Sequence, residues 1–248
     1  MIRNTNFDET EKSLPFAKPL LQDSPFRVLN LYACLGGNRY KWDEVAKEAG
    51  ITIKVTAIEY DKEIAKVYKE RFPDDIVIVC DAHEYLLNNF KKFDFIWSSP
   101  PCPSHSKIRI TQKNRDAFVP LFPDMKLYEE IIFLDNYFDG KYVVENVTPY
   151  YEPLVHAKKR GRHLYWTNFN LPTDLKERKL DGILCTMIDE HKKLEVFHDL
   201  KVNANLGGYR DVLRNLVDYE AGRTIFETVF KIEKKKNIQQ VSIFDAVL

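Results

Sequence analysis

The chain of 248 residues contains 37 Lys and Arg residues and 37 Asp and Glu residues, so its formal net charge is zero. This length suits one α/β domain with a small appended lobe, and the charge balance removes a global basic field without excluding a local basic patch for nucleic acid. The apolar fraction of 44% is ordinary for a soluble protein, and no apolar run reaches the length that a membrane span needs.

The first 24 residues are polar and include Asp8, Glu9 and Glu11. A secretory signal peptide is therefore not expected, and we predict a cytoplasmic protein. The four cysteines form no Cys-x-x-Cys pair, which disfavours a zinc ribbon and a dithiol redox site. We expect reduced thiols and no bound metal.

Strand and helix patterns alternate through the first 150 residues. Strand patterns cover residues 27–33, 53–58, 76–79, 93–97 and 142–144, and helix patterns cover residues 41–49, 63–72 and 125–138. Repeated β-α units of this kind predict a mostly parallel sheet with helices on both faces.

The pattern changes after residue 150. Residues 162–169 are aromatic and strand-like, whereas residues 170–203 are polar and poorly patterned, as in a small insertion or lobe. Residues 213–230 have helical spacing, and their predicted buried side consists of Val217, Ile225, Phe226, Val229 and Phe230.

Three successive predicted strands end in residues suited to a nucleoside. Gly36 and Gly37 follow the first strand, where glycine permits close backbone approach by a ligand and a turn into a helix. Glu59 ends the second strand and is placed to accept hydrogen bonds from ribose hydroxyls, while Asp81 ends the third and is placed to accept from an adenine amino group. The Gly-x-Gly-x-x-Gly spacing of dinucleotide sites is absent, so a dinucleotide is not indicated and the pattern is consistent with S-adenosylmethionine. Any one of these residues also fits an ordinary turn glycine or a surface acid.

Cys102 is the candidate nucleophile. Residues 97–106 read Trp-Ser-Ser-Pro-Pro-Cys-Pro-Ser-His-Ser, which indicates a buried strand, a rigid turn and a thiol just beyond the strand end. Ligands bind at that edge of an open α/β sheet. Taken alone, a free cysteine is more often a small buried hydrophobic residue, and the basic runs around Lys107 and Lys158 fit a solvated surface as well as a nucleic-acid patch.

The order and spacing of five motifs resemble the DNA cytosine-5 methyltransferase family. Residues 32–37 (Tyr-Ala-Cys-Leu-Gly-Gly) resemble its cofactor motif, Phe-x-Gly-x-Gly-Gly, and residues 100–102 (Pro-Pro-Cys) match its catalytic motif. Residues 145–147 match Glu-Asn-Val, residues 158–162 (Lys-Lys-Arg-Gly-Arg) resemble Gln-x-Arg-x-Arg, and residues 214–217 (Arg-Asn-Leu-Val) resemble Gly-Asn-x-Val. The chain departs from the family pattern at Cys34, Pro103 and Lys158, which replace a glycine, a glutamine and a glutamine.

This resemblance implies a Rossmann-like, S-adenosylmethionine-dependent methyltransferase fold that methylates C5 of a flipped-out cytosine in double-stranded DNA. It implies a catalytic group of Cys102, Glu145, Arg160 and Arg162. The cofactor residues it implies, with those at the strand ends, are Tyr32, Ala33, Cys34, Leu35, Gly36, Gly37, Glu59, Tyr60, Asp81, Ala82, Pro100, Asn215 and Val217. The predicted DNA-binding residues are Ser104, Ser106, Lys107, Arg109 and Lys158.

We predict five parts along the chain. An N-terminal extension (1–24) precedes the catalytic core (25–168), a short target-recognition region (169–208), a C-terminal helix returning to the core (209–236) and a tail (237–248). The short recognition region predicts a recognition site of about two to four base pairs. Residues 240–244 (Gln-Val-Ser-Ile-Phe, from Gln240 to Phe244) resemble the sliding-clamp-binding pentapeptide, although such a segment also suits packing on its own domain.

Three alternatives remain for the function. A methyltransferase of exocyclic amino groups shares Ser-Pro-Pro but wants an aromatic residue at position 102, so Cys102 disfavours it. A transfer-RNA cytosine-5 methyltransferase on the same fold stays open because the recognition region is short. A catalytically inactive DNA-binding homologue is disfavoured by the intact Cys102 and Glu145. We expect a monomer of bacterial or phage origin.

Overall fold

The computed structural model describes residues 24–111, 113–114, 118–175, 178, 189–201 and 208–231. Its strands are β1 (Phe26–Leu31), β2 (Ile53–Glu59), β3 (Ile76–Val79), β4 (Phe95–Ser98), β5 (Lys141–Val147), β6 (Lys158–Arg160) and β7 (His163–Thr167). Its helices are α1 (Trp42–Glu48), α2 (Lys62–Arg71), α3 (Ala82–Asn89), α4 (Lys107–Thr111), α5 (Lys126–Tyr137), α6 (Asp189–His198), α7 (Tyr209–Arg214) and α8 (Tyr219–Val229).

The seven strands form one sheet in the order β3-β2-β1-β4-β5-β7-β6. Strands β1 to β5 pair in parallel, whereas β7 runs antiparallel to both β5 and β6. The order reverses between β1 and β4, and ligands of open α/β sheets bind at such a switch point. In register, Leu31 lies beside both Ile58 and Ser98, so β1, β2 and β4 end level with one another.

Adjacent residues of each central strand face opposite sides of the sheet. On one side, Leu29, Ile96 and Val144 pack in a cluster with residues of α3 and α5. On the other side, Val28 and Phe95 pack in a cluster with residues of α1 and α8. Both faces are therefore covered, which explains why these strands read as continuous apolar runs. The predicted mostly parallel sheet with helices on both faces is confirmed.

The helix predicted over residues 213–230 is two helices, and this part of the prediction is wrong. Helix α7 ends at Arg214, and α8 begins after Asp218, whose side chain accepts a hydrogen bond from the N–H of Glu220 at 3.2 Å. The predicted burial of Val217, Ile225, Phe226 and Val229 is confirmed, whereas Phe230 is partly buried.

Four other elements had no counterpart in the sequence-based prediction. Helix α3 follows β3, helix α4 forms within the basic segment after Cys102, strand β6 forms from the basic run at residues 158–160, and α6 lies within the polar segment predicted as a lobe. Leu171 and Leu175 are buried in the core beside Tyr165, so the chain stays on the core through residue 175. The tail from Gln240 to Phe244 lies outside the described residues. Among the helices that are described, none is long and apolar enough to cross a membrane.

Candidate active site

The loop after β1, residues 32–37, is held in an unusual backbone conformation. Tyr32, Cys34 and Gly36 have positive φ values of 54°, 48° and 72°. The backbone N–H of Cys34 donates to Oε2 of Glu59 at 2.8 Å, and the N–H of Asp61 donates to Oε1 of the same carboxylate at 3.0 Å. Glu59 at the end of β2 therefore braces this loop, which we call the cofactor loop.

Both glycines of the cofactor loop are required by packing within the protein. A Cβ atom at Gly36 would lie 2.3 Å from the Phe72 ring, and one at Gly37 would lie 2.3 Å from the backbone oxygen of Val217. The structure shows a packing reason for glycine at both positions, because protein atoms fill the space that a Cβ atom would need. Their contact with a cofactor stays a prediction. Gly37 also shows that residues 215–218, between α7 and α8, close directly on the cofactor loop.

The acids at the next two strand ends are placed differently. Burial raises the pKa of Glu59, whereas hydrogen bonding to the N–H of Glu84 lowers the pKa of Asp81. Asp81 caps the N-terminus of α3 through that bond, at 3.0 Å, and pairs with Lys126 at 3.5 Å. Beside Glu59, the ring of Tyr60 is 78% exposed. Two carboxylates and an open aromatic face thus share one sheet edge.

The remaining predicted cofactor residues divide into buried and exposed groups. Asn215 is exposed at the end of α7, next to the buried Val217. The buried residues lie at strand and helix ends of the same edge and are Ala33, Leu35, Ala82 and Pro100.

This edge fits an adenosine-bearing cofactor. Ribose hydroxyls and an adenine amino group are hydrogen-bond donors, and the carboxylates of Glu59 and Asp81 supply acceptors for them. The exposed ring of Tyr60 supplies a flat apolar surface for a purine. These hydrogen-bond acceptors and the aromatic surface therefore agree with S-adenosylmethionine.

The loop after β4, residues 99–106, contains Cys102 and is called the catalytic loop below. It is anchored on both sides of Cys102. Before the cysteine, Nδ2 of Asn146 donates to the backbone oxygen of Pro100 at 3.0 Å. After it, the backbone N–H groups of His105 and Ser106 both donate to the Cys102 oxygen at 3.0 Å, which forms a single tight turn. Asn146 follows Glu145 in the Glu-Asn-Val motif, so this motif also positions the cysteine loop.

Cys102, Glu145 and Arg162 lie close enough to interact electrostatically. Burial raises the pKa of the Cys102 thiol, the Glu145 charge raises it further, and Arg162 lowers it. The thiol is consequently protonated near neutral pH in this state, whereas the nucleophile in such chemistry is a thiolate. The predicted pairing of Cys102 with Glu145 at one sheet edge agrees with this geometry.

Glu145 lies on β5, next to β7, and is buried. It pairs in register with Tyr165, and its Oε1 lies 3.6 Å from Nε2 of the buried His163. His163 directly follows the second arginine of the motif at residues 158–162, but nothing in the sequence pattern distinguishes it as a site residue. Its position beside the Glu145 carboxylate follows only from the pairing of β5 with β7.

Two basic residues predicted at the site are committed elsewhere. Nε of Arg160 donates to the Pro172 oxygen at 2.8 Å, and its Nη atoms donate to the Lys159 and Leu171 oxygens. Nζ of Lys158 donates to Oγ1 of Thr167 at 2.8 Å and to the backbone oxygen at residue 169 at 2.6 Å. The bonds to residues 169, 171 and 172 satisfy backbone carbonyls of the chain after β7, so in this structure Arg160 and Lys158 attach that chain to the sheet. Arg162 of the same motif acts on Cys102.

The segment predicted to contact DNA has an exposed and a buried part. Lys107 is exposed and Ser106 is half-buried. Ser104 is buried, and its Oγ accepts a hydrogen bond from the N–H of Asp124 at 3.0 Å. A guanidinium nitrogen of Arg109 donates to the backbone oxygen of Val119. Ser104 and Arg109 thus attach residues 118–124 to the catalytic loop, a role that the sequence did not predict.

The sheet order and the strand-end site define a class of protein. Strands β1 to β5 are parallel, the strand order switches between β1 and β4, and β7 near the sheet edge is antiparallel. This is the Rossmann-like fold of S-adenosylmethionine-dependent methyltransferases. The cofactor loop, Glu59 and Cys102 all lie along its ligand-binding edge.

The family follows from comparison of the sequence with family models. Residues 26–147, from the start of β1 to the end of β5, match C-5 cytosine-specific DNA methylase. The matched segment contains the cofactor loop, Cys102 and Glu145. The family predicted from the motifs is confirmed. No curated protein sequence gives a significant match.

Solved structures with similar parts include several methyltransferases. A variant of Spodoptera frugiperda DNMT2 is 28% identical over 49% of this chain and 35% of that chain, with a TM-score of 0.34. Entamoeba histolytica methyltransferase EhMeth is 15% identical over 50% of this chain and 38% of that chain, with a TM-score of 0.31. The matched part therefore spans little more than a third of the length of either protein.

Proposed function

We propose that the protein transfers a methyl group from S-adenosylmethionine to C5 of a cytosine in DNA through a covalent bond between Cys102 and cytosine C6. The observation that carries this proposal is the convergence of Cys102, Glu145 and Arg162 beside the cofactor loop, within and next to the segment that matches the cytosine-5 methylase family. Cytosine C5 is a poor nucleophile, so a methyltransferase acting there needs a group that activates the ring.

The cofactor loop, Glu59, Tyr60 and Asp81 would hold S-adenosylmethionine. When bound, it supplies a methyl group attached to a positively charged sulfur, which is an electrophile. The loop at residues 215–217 would close this pocket because Val217 already packs on Gly37.

Covalent catalysis divides the reaction into easier steps. Sγ of Cys102, as a thiolate, adds to C6, and the electron pair of the C5–C6 bond makes C5 nucleophilic. Glu145 donates a proton to, or shares one with, ring N3 and so stabilises the negative charge that develops there. When C5 takes the methyl group, S-adenosylhomocysteine would be left and the N3 proton would return to Glu145. The C5 proton then leaves to a base and the thiolate is expelled, which restores the C5–C6 double bond and the free Cys102.

Activation of Cys102 belongs to the substrate complex. The thiol is protonated in this structure because burial and Glu145 both raise its pKa. In the substrate complex the thiol gives up its proton and the Glu145 carboxylate takes one up, which it shares with ring N3. With Glu145 neutral, the Arg162 charge favours the thiolate. The ring is reachable from both faces only outside the duplex, so the target nucleotide would be flipped out.

The test is transfer of a tritiated methyl group to duplex DNA and to transfer RNA by wild-type protein, Cys102→Ser and Cys80→Ser. We expect transfer to DNA, loss of transfer in Cys102→Ser with S-adenosylmethionine binding retained, and normal transfer in Cys80→Ser, since Cys80 is another half-buried thiol. Normal methylation by Cys102→Ser would refute the nucleophile, and transfer to transfer RNA alone would refute the DNA substrate. Methylation mapped to a long recognition site would contradict the short site predicted from the recognition region.

A second readout traps the covalent bond itself. In DNA that contains 5-fluorocytosine, fluorine at C5 cannot leave as a proton does, so the final elimination is blocked. Wild-type protein should then form a complex with this DNA that survives denaturation, and Cys102→Ser should not.

A further inference from the structure

A buried carboxylate on α5 joins the cofactor loop to the strand that leads to Cys102. Glu130 is 1% exposed. Its Oε1 accepts a hydrogen bond from Oη of Tyr32 at 2.6 Å, and its Oε2 accepts one from Oγ of Ser98 at 2.6 Å. Nδ1 of His83 lies 3.1 Å from Oε1. One side chain therefore contacts residues at the ends of β1 and β4 and in the first turn of α3.

The Tyr32 contact acts on the cofactor loop. Tyr32 is its first residue and has a φ of 54°, which is unfavourable for a bulky side chain unless the surroundings impose it. The family motif has phenylalanine at this position, whereas the hydroxyl present here is bonded to Glu130. The carboxylate of Glu130 thereby fixes the point where the chain leaves β1 and enters the loop.

The Ser98 contact acts on the catalytic loop. Ser98 is the last residue of β4, is fully buried, and lies four positions before Cys102. It pairs in register with Leu31 on one side and Val144 on the other, so it stands beside the residue before Tyr32 and the residue before Glu145. A shift of Ser98 would move the start of the loop that presents the nucleophile.

An apolar side chain at position 130 could be buried at a lower free-energy cost than the Glu130 carboxylate. Burying a carboxylate is expensive unless every part of it is hydrogen-bonded. Here both oxygens accept short bonds from hydroxyl groups, and the adjacent His83 has a raised pKa because Glu130 bonds to it. The geometry links two loops that must stay at a fixed separation for methyl transfer.

We propose that Glu130 is a positioning residue that sets the cofactor loop, through Tyr32, and the catalytic loop, through Ser98, at the separation the reaction needs. This inference rests on the proposed methyl transfer. Tyr32→Phe removes the first contact, Ser98→Ala removes the second, and Glu130→Leu removes both. Glu130→Gln keeps both, because Tyr and Ser hydroxyls can accept a hydrogen bond as well as donate one.

The two contacts should affect different measurements. We expect Tyr32→Phe to raise the Kd for S-adenosylmethionine about tenfold with a smaller change in kcat, and Ser98→Ala to lower kcat about tenfold with Kd unchanged. Glu130→Leu should show both effects, and Glu130→Gln should restore both to within about threefold of wild type. Glu129→Gln is the matched control, since its carboxylate is exposed and contacts His83 from the other side.

Calorimetric binding of S-adenosylmethionine and the alkylation rate of Cys102 by iodoacetamide need no nucleic acid. Absence of DNA methylation by wild-type protein would refute the proposed function, while these two readouts would still report on Tyr32 and Ser98. Wild-type Kd and kcat in a folded Glu130→Leu would overturn the proposal. The proposal would also be overturned if all variants, including Glu130→Gln, showed the same fall in thermal stability, rise in Kd and fall in kcat. That result would indicate a purely structural role.

Discussion

Replacing Gly37 by alanine tests whether residues 215–217 complete the cofactor pocket. The new Cβ would lie 2.3 Å from the backbone oxygen of Val217, and 3.3 Å from Cβ of Leu216. To restore even a tight 3.0 Å contact, the carbonyl must retreat by about 0.7 Å. A backbone oxygen cannot rotate away as a side chain can, so the whole loop between α7 and α8 must move.

The magnitude follows from this overpacking. An extra methyl group in a filled space typically costs about 1–3 kcal/mol, here divided between lower stability and displacement of the loop. If this free energy opposes closure of the pocket on the cofactor, the Kd for S-adenosylmethionine rises about 5–150-fold. The assay is calorimetric titration, with a thermal melt of the same sample.

Gly140→Ala is the matched control. Its Cβ would lie 2.6 Å from the Asp94 oxygen and 2.4 Å from the Phe138 ring, a clash as severe, at the start of β5 and at the opposite edge of the sheet from Glu145. We expect a comparable loss of stability without a change in Kd. A folded Gly37→Ala whose Kd stays within about twofold of wild type would refute the reasoning, as would an equal rise in Kd for Gly140→Ala.

Three other substitutions test charged groups. Glu145→Gln should lower the pKa of Cys102 by removing a neighbouring negative charge, so the pH midpoint of its alkylation by iodoacetamide should fall; an unchanged or higher midpoint contradicts this. Asp75→Ala should lower the free energy of unfolding, measured in urea, by about 3 kcal/mol, because the buried Arg39 guanidinium loses its buried partner. The Arg39 side chain is only 4% exposed. A loss below about 1 kcal/mol would contradict this prediction. The pKa of His83 is raised in the folded protein, so protonated His83 stabilises the fold fully below its unfolded pKa of about 6.5 and loses this effect as pH rises through the folded value. The difference in Tm between wild type and His83→Gln should therefore shrink with rising pH. A difference that grows would contradict the assignment.

Much of the sheet is predictable because its strands are buried on both faces. The apolar run that leads into β4 can be recognised for this reason. Strand β3 matches its predicted bounds of residues 76–79 through its apolar sequence alone, because it lies at the sheet edge and Ile76 and Val79 are exposed. Helix α3 was missed because only Ala82 and Leu86 are buried along it, too few to give a helical period. Its best local signal was Asp81 followed by Glu84, an N-cap pattern, and that aspartate was instead assigned to adenine.

The candidate site divides in the same way. Topology alone brings Cys102 and Glu145 together, because β4 and β5 are adjacent parallel strands and each residue lies just beyond or at a carboxyl end. Glu130 could not be found from sequence. It follows Glu129 on one helix, and nothing local distinguishes the buried carboxylate from the exposed one until α5 is packed against the sheet.

Cys34 shows why the family's glycine is dispensable in this chain. Left-handed backbone at a non-glycine residue costs about 1–3 kcal/mol, and the cofactor loop contains two such residues, Tyr32 and Cys34. Each is held by a carboxylate from another element, Glu130 for the Tyr32 hydroxyl and Glu59 for the Cys34 N–H. Hydrogen bonds to charged groups contribute about 1.5–3 kcal/mol, which matches the cost. The loop conformation is therefore imposed by tertiary contacts from α5 and β2, so glycine at position 34 is no longer needed to reach it.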